Sequence, residues 1–516
     1  MIFLNKDMKV VFYSTSSILN PHFGILLDEA NRFADQGDSV VFVTCSRYND
    51  VCLKNPSGNR GLCYICNQTN YIGLRNLRAS VIQKKLSNYY TKKQSVKFDG
   101  YKSLDDIKKI DYKGGLIGYA AISSYVTVTR NINPKIDDIF YAYFNSILEQ
   151  EVSLIDTFQK LIDFEKPDLV CLFNGRFFEN RPLYDLCIGN NITVRTYEFD
   201  GGREEKFIKL YFENALPHNL IINTNYAFEC WNNSKDCDRI KKEKAKSFFE
   251  KRRNGIIAGD KVYIENQIKG KLPIDWDDTK RNIAIFNSSE DEFIAVDRDF
   301  DNLSLYKSQI DGIRGILEHY KENQTVHFYL RVHPNLKNVH YQYHLLLYDL
   351  SLKYPNITVI GADSDISTYD IMDNAEKVIV FGSTMGLESS YWGKPVILLS
   401  GSFYYYMNVC YIPKSKNELW TLIDDENLKP FADKQNTLVM GYYFLDRSFR
   451  PNIIHQTKLD YNPSYIKIFK WKIKLYPYLR VCNSKFLFKL MFNISIYLCS
   501  YISSCKYVIP KSENEF

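Results

Sequence analysis

Short runs of β-branched and aromatic residues alternate along the chain with longer stretches whose apolar positions recur every three to four residues. Met8-Lys-Val-Val-Phe-Tyr13 reads as a strand, Ser14 to Pro21 as a polar loop, Phe23 to Gln36 as an amphipathic helix and Val40-Val-Phe-Val-Thr44 as a returning strand, a βαβ opening. Further on, strands near 283–286, 326–332, 357–360, 378–381 and 395–399 alternate with helical stretches, the pattern of a doubly wound parallel sheet. Between these regions Cys237 to Lys251 reads as a charged helix that Arg252-Arg-Asn-Gly255 caps. The segment onward to about Lys280, with Gly259, Gly270 and Pro273, reads as a linker. The expected division is therefore 1–275, 276–440 and a tail, 441–516.

Two strand ends carry groups suited to an anionic ligand. In Val378-Ile-Val-Phe-Gly-Ser-Thr-Met-Gly-Leu-Glu-Ser-Ser390, a strand, a turn at Gly382-Ser383-Thr384 and a helix from about Met385 would present backbone N–H groups and two hydroxyls. Glu388, one helical turn beyond Thr384, would accept hydrogen bonds from a ribose diol. In Val326-His-Phe-Tyr-Leu-Arg-Val-His-Pro-Asn335, the strand ends in Arg331 and His333, which suit a phosphate leaving group, and Pro334 stops the strand and fixes the turn. Taken singly, Ser-Thr before a helix is an N-cap and His-Pro is a loop. As a spaced pair at strand ends of one α/β domain they point to a nucleotide-sugar site.

With these motifs the chain resembles the capsule polysaccharide biosynthesis family of bacterial glycosyltransferases, relatives of the two-domain GT-B enzymes. The resemblance implies an α/β, GT-B-like fold: two Rossmann-type doubly wound domains facing a cleft, an acceptor-side domain first and a nucleotide-sugar domain second. It implies transfer of a sugar from a nucleotide-sugar donor to a growing capsular or other surface polysaccharide, or to a lipid-linked oligosaccharide, with no cofactor required. His333, Ser383 and Thr384 would then contact the donor phosphate or nucleotide. Asn287-Ser-Ser-Glu-Asp-Glu-Phe293 resembles the donor-side loop after the first strand of that domain, which makes Ser288 and Ser289 donor-binding candidates. Phe173-Asn-Gly-Arg176 resembles a strand-end motif of the first domain, placing Asn174 and Arg176 on the acceptor side. Arg195-Thr-Tyr-Glu-Phe-Asp-Gly-Gly202 resembles the segment after it, and contributes Glu198 and Asp200 as candidates for the base that deprotonates an acceptor hydroxyl. His22 is a third candidate, because its loop lies where a GT-B enzyme receives its acceptor and imidazole titrates near working pH; otherwise it is a helix-start histidine. A polyol-phosphate transferase or nucleotide-sugar epimerase on the same architecture, or a non-catalytic scaffold of polysaccharide assembly, are the alternatives.

At 516 residues the chain is long enough for two cores, and 45% hydrophobic with 24% charged residues is a globular composition. A net charge of +6, without zinc-finger, RNP or Walker patterns, excludes nucleic acid as the expected partner. No positive region followed by a long apolar core opens the chain, so the sequence reads as cytoplasmic. Among the 12 cysteines, Cys45, Cys52, Cys63 and Cys66 cluster, and Cys63-Tyr-Ile-Cys66 has the spacing of a zinc knuckle. A structural zinc site and free thiols are both open readings. Five of the eight histidines fall between His319 and His344, but without a His-Glu-x-x-His pattern they read as packing or surface residues. From Tyr461 to Lys511 the tail carries nine Lys or Arg, no Asp or Glu, and many apolar and aromatic residues. It reads as a helical, interfacial anchor to the inner face of the cytoplasmic membrane, or as a helix packing back on the first domain.

Overall fold

A computed structural model describes residues 7–18, 22–91, 96–200, 208–259, 262–431, 435–445, 453–454, 465–468, 471–474 and 508–510. The chain forms two compact units. The first comprises Met1–Thr129, Pro134–Pro217 and Ile454–Lys511; the second comprises Arg130–Asn133, His218–Ile453 and Ser512–Phe516.

In the first unit, strands β1 (Lys9–Ser14), β2 (Ser39–Thr44), β3 (Ile82–Lys85), β4 (Leu169–Phe173), β5 (Thr193–Asp200) and β6 (Ile208–Glu213) lie in the order β6-β5-β4-β1-β2-β3. Five are parallel, and β6 runs antiparallel to β5. Alternation along β1 explains the double winding: Val10 and Phe12 face the helix His22–Asp35, through Phe23, Leu26 and Ala30, whereas Val11 and Tyr13 face the helix Asp138–Glu165, through Leu154 and Phe158. Strands β1, β2 and β4 are buried on both faces and so read as continuous apolar runs.

In the second unit, β7 (Arg281–Phe286), β8 (Val326–Arg331), β9 (Ile357–Ile360), β10 (Lys377–Val380) and β11 (Val396–Leu398) form a wholly parallel sheet in the order β11-β10-β7-β8-β9. Ile283, Ile285, Phe328, Leu330, Ile379 and Ile397 pack against Ile313, Ile316 and Leu317 of the helix Gln309–His319 and Leu419 and Ile423 of the helix Lys416–Asp424. In each sheet the third, second, first, fourth and fifth strands of the unit are successive neighbours. That is the Rossmann order, and it places a switch point between the unit's first and fourth strands.

The division falls at Pro217/His218, not near 275. The charged helix Asp238–Arg253 belongs to the second unit because its inward residues Phe248 and Phe249 stack on Phe444 and Tyr391. The expected linker is also part of that unit: Ile268 donates its backbone N–H to the Asp365 carbonyl at 2.8 Å and Gly270 donates to Asp370 at 2.8 Å. Gly255, at φ +72°, ends the charged helix as the sequence reading has it. In the tail, 441–445 complete a helix that begins at Gln435, and the other described elements are strands: β12 (Ile453–Ile454), at the β6 edge, and the antiparallel pair β13 (Tyr465–Ile468) and β14 (Trp471–Lys474). Of the Tyr461–Lys511 stretch expected to anchor, residues 475–507 lie outside the described residues. Among the described residues no helix is long and apolar enough to cross a membrane.

Candidate functional site

Three loops leave the carboxyl ends of neighbouring strands at the switch point of the second unit. Asn287-Ser288-Ser289 follows β7, Val332-His333-Pro334-Asn335 follows β8, and Phe381-Gly382-Ser383-Thr384 follows β10. Side chains tie the first two together. The His333 backbone N–H donates to Asn287 Oδ1 at 2.9 Å, and Asn335 Nδ2 donates to Ser289 Oγ at 3.0 Å. Gln309 clamps Ser288 twice, accepting from its backbone N–H at 3.1 Å and donating to its hydroxyl at 2.8 Å. His333 Nδ1 accepts from the Asn335 backbone N–H at 3.1 Å. A nitrogen that accepts carries no proton, so the neutral ring holds its proton on Nε2 and presents that edge as a donor.

The third loop depends on glycine. Gly382 has φ +76°, and a Cβ there would lie 3.0 Å from the Gly401 carbonyl and 3.5 Å from Ser288 Oγ. The positive φ and the approach of the Gly401 carbonyl favour a residue without a side chain here, while Ser288 lies at ordinary contact distance. Tyr404, wholly buried, then locks it by donating its hydroxyl to the Ser383 carbonyl at 2.6 Å. Gly386 makes room for that ring, since a Cβ there would lie 2.0 Å from the Tyr404 hydroxyl. The switch point thus brings together Ser288, Ser289, His333, Pro334, Ser383 and Thr384.

Two expected members turn elsewhere. Arg331 is 3% exposed and donates to the carbonyls of Gly361 and, at 3.0 Å, Ser364; burial lowers its pKa to about 10, which leaves it charged. It ties β8 to the loop after β9 and does not extend into the Ser-Thr turn. Glu388 is 1% exposed, pairs with Arg252 at 3.0 Å and accepts the Tyr369 hydroxyl. Burial, and then this carboxylate, raise the Tyr369 pKa far above its ordinary value. Glu388 is therefore the counterion of a buried guanidinium, not an open acceptor for ribose. Arg252 Nη2 lies 3.5 Å from Thr384 Oγ1, which makes it the cation nearest the turn among these contacts. Local sequence carried no signal for Arg252 beyond a helix end, and none for Gln309 or Tyr404. Asn335, adjoining His-Pro, and Asn287, adjoining Ser288, are the residues beyond the expected candidates that had a visible cue.

In the first unit Asn174 (φ +54°) and Gly175 (φ +84°) turn the chain after β4, and the Arg176 backbone N–H donates to Asn174 Oδ1 at 3.1 Å. Asn174 Nδ2 donates to Glu198 on β5, so these two expected residues meet. Arg176 is buried, over the Phe177 ring at 5.2 Å and 3.4 Å from Thr127 Oγ1. His22 packs its ring 3.8 Å from that of Phe173, and burial, with Lys54 adding repulsion, lowers its pKa to about 3. So weak a base is the helix-start histidine of the alternative reading. The Asp200 side chain lies outside the described residues. Glu179, three residues past Arg176, was not anticipated; burial pushes its pKa up to about 7.

The four clustered cysteines line one cavity, yet among the described residues no three His, Cys, Asp or Glu side chains converge so as to hold a metal ion. All four are free thiols, and burial raises the pKa of Cys45 to about 12. Cys63 accepts from Asn55 Nδ2 at 3.2 Å, and Cys66 Sγ lies 3.4 Å from the Ser17 hydroxyl. Burial raises the thiol pKa of Cys52 and of Cys63 as well. His344, 3% exposed against Tyr348, is a packing residue as expected.

Two sheets whose parallel strands follow the Rossmann order, one with serine, threonine and histidine gathered at its switch point, define an α/β protein of the kind that holds a ligand at strand ends. Residues 287–427, a segment spanning all three switch-point loops, match the family described as capsule polysaccharide biosynthesis protein. No curated protein matches the chain. Among solved structures, the Thermosulfurimonas dismutans KpsC beta Kdo 2,7 transferase aligns at 17% identity over 55% of this chain and 79% of that one, with a TM-score of 0.32. The KpsC beta Kdo 2,4 transferase of the same organism aligns at 12% identity over 53% and 78%, with a TM-score of 0.34. The UDP-GlcNAc 2-epimerase from Neisseria meningitidis bound to UDP-GlcNAc aligns at 12% over 84% and 98%, with a TM-score of 0.23.

Proposed function

We propose that this protein is a glycosyltransferase of surface-polysaccharide synthesis whose second unit holds a nucleotide-sugar donor at its switch point. One observation carries the reading: Ser288, His333 and the Gly382-Ser383-Thr384 turn leave three neighbouring strand ends at one switch point, inside the family-matching segment. His333 Nε2–H, the serine and threonine hydroxyls and the backbone N–H groups of the turn would stabilise the negative charge that develops on the leaving phosphate. These donors are already oriented by Asn287, Asn335, Gln309 and Tyr404, so little reorganisation accompanies reaction. Arg331 and Glu388 support this cluster from outside it. For deprotonation of an acceptor hydroxyl, the carboxylates of β5, Glu198 and Asp200, are preferred to His22, whose lowered pKa makes it a poor base.

A thermal-shift screen against CMP, UDP, GDP and CDP and their sugar derivatives tests the reading. A ligand at one hundred times its Kd adds about 2.7 kcal/mol to the folded state. We expect one nucleotide base to raise the melting temperature of the wild type and His333→Ala to lose that shift while unfolding normally in its absence. A wild type that binds none of them, or a His333→Ala variant that binds as well, would overturn the assignment and favour the scaffold alternative.

A further inference from the structure

We propose that Arg130 is a positioning residue for the switch-point loops of the second unit: its guanidinium fixes the acidic turn after β7 to the His-Pro loop after β8 and, through Asn335, sets the His333 ring. Arg130–Asn133 belong to the second unit. Arg130 Nε and Nη2 donate to the two Asp291 carboxylate oxygens at 2.7 and 3.2 Å, and Nη1 donates to the Asn335 carbonyl at 3.3 Å. A planar fork reaches a carboxylate with two N–H groups and keeps a third for another acceptor, which an ammonium cannot do in one plane. The backbone is held as well. Arg130 stands at φ +59°, unfavourable for a residue with a Cβ, and its carbonyl accepts the Tyr343 hydroxyl at 2.8 Å. The Asp291 side chain is 7% exposed and that of Arg130 33%, so water screens this pair less than one on the open surface.

Three successive carboxylates, Glu290-Asp291-Glu292, directly after Ser288 and Ser289 invite a metal reading. Instead each of them holds a different part of the site. Glu290 accepts at 3.0 Å from the backbone N–H of Gln309, the residue whose side chain clamps Ser288; Asp291 takes the Arg130 fork; Glu292 accepts from Asn335 Nδ2 at 2.9 Å. Asn335 is thereby fixed at its carbonyl by Arg130 and at its amide by Ser289 and Glu292, and its backbone N–H is the group that meets His333 Nδ1. That bond keeps the ring proton on Nε2. Removing the Arg130 guanidinium releases the Asp291 carboxylate and the Asn335 carbonyl together, and with them the placement of the His333 donor edge. That this edge serves a nucleotide rests on the donor reading above; the clamp and its effect on the ring do not.

The His333 ring reports on the clamp without any ligand. In the full-length protein carrying 15N-labelled histidine, at about pH 8 where an ordinary imidazole is neutral, the wild-type ring should show well-separated Nδ1 and Nε2 resonances of one tautomer, assigned by their absence from His333→Gln. In Arg130→Met the two resonances should move toward each other as the tautomers interchange. CMP, UDP, GDP and CDP are then titrated calorimetrically into the same proteins. Whichever binds the wild type should bind Arg130→Met about tenfold more weakly, the value of one charge-assisted hydrogen bond. Asp291→Asn serves should the methionine variant fail to fold. Ring resonances unchanged in the folded variants, or nucleotide affinity unchanged in them, overturns the proposal, since a pair that only stabilises the fold would lower the melting temperature and move neither. A wild type that binds no nucleotide sinks the donor reading instead, and the ring resonances alone then decide whether Arg130 sets His333.

Discussion

Replacing Glu388 with alanine separates a ribose ligand from a buried counterion. The Arg252 and Glu388 side chains are 7% and 2% exposed and meet at 3.0 Å, and Tyr369 donates to the second carboxylate oxygen. Removing the carboxylate leaves a guanidinium without its counterion and a hydroxyl without its acceptor in the interior. Loss of one partner of a buried pair costs about 3–5 kcal/mol. For a unit of this size about 1 kcal/mol moves the melting temperature by roughly 2–4 °C, so a fall of roughly 6–20 °C is expected. The double variant Arg252→Met, Glu388→Leu should recover most of it, because the uncompensated charge leaves with its partner. Tryptophan fluorescence follows the transition well, as Trp231, Trp276, Trp392 and Trp420 all lie in the second unit. Should Glu388→Ala unfold within about 1 kcal/mol of wild type, the value of an exposed pair, while losing nucleotide binding, the counterion argument is refuted and the ribose role returns.

Gly382→Ala forces a Cβ toward the Gly401 carbonyl at φ +76°; we expect a loss of about 1–2 kcal/mol in urea unfolding together with a weaker nucleotide-induced thermal shift. Equal stability in that variant would show that the turn has room to relax. Glu179 supplies a pH prediction. Burial raises its folded pKa to about 7 from an ordinary 4.5, so the folded state binds the extra proton and this group's penalty is absent below pH 4.5. Stability is then lost as pH rises from 4.5 to 7, by about 3 kcal/mol in all. Glu179→Gln should flatten the stability profile across that window; an unchanged slope would place the titration elsewhere.

Much of this architecture is legible in sequence for a local reason. A strand buried on both faces must be apolar throughout, so Val10 to Tyr13 and Val378 to Phe381 announce themselves, and a chain leaving such a strand needs Gly382 or Asn174 to reverse. The family-matching segment is legible too, since His333-Pro334 and Ser383-Thr384 occupy the ends of strands recognisable in this way. The unit boundary was not. Glycine and proline between 255 and 275 signal irregular backbone, and irregular backbone packed along a sheet edge looks the same in sequence as a linker. Cys63-Tyr-Ile-Cys66 has knuckle spacing, but on a regular helix that spacing puts both thiols on one stripe, facing Ser17 and Asn55.

The sequence by itself determined where strands end and which chemistry waits there: hydroxyls at Ser288, Ser383 and Thr384, an imidazole at His333, carboxylates on β5. Burial periodicity and turn chemistry act over a few residues, and a few residues suffice to read them. Only the tertiary structure decided what each group is free to do. Arg331 and His333 are two residues apart, yet one closes on the carbonyls of Gly361 and Ser364 while the other is tied to Asn287 of the β7 loop. Glu388 was placed correctly on its helix, but its partner Arg252 comes from 136 positions away. A charge in a low-dielectric interior takes the role its nearest counterion imposes, and that neighbour is chosen by packing, not by spacing along the chain.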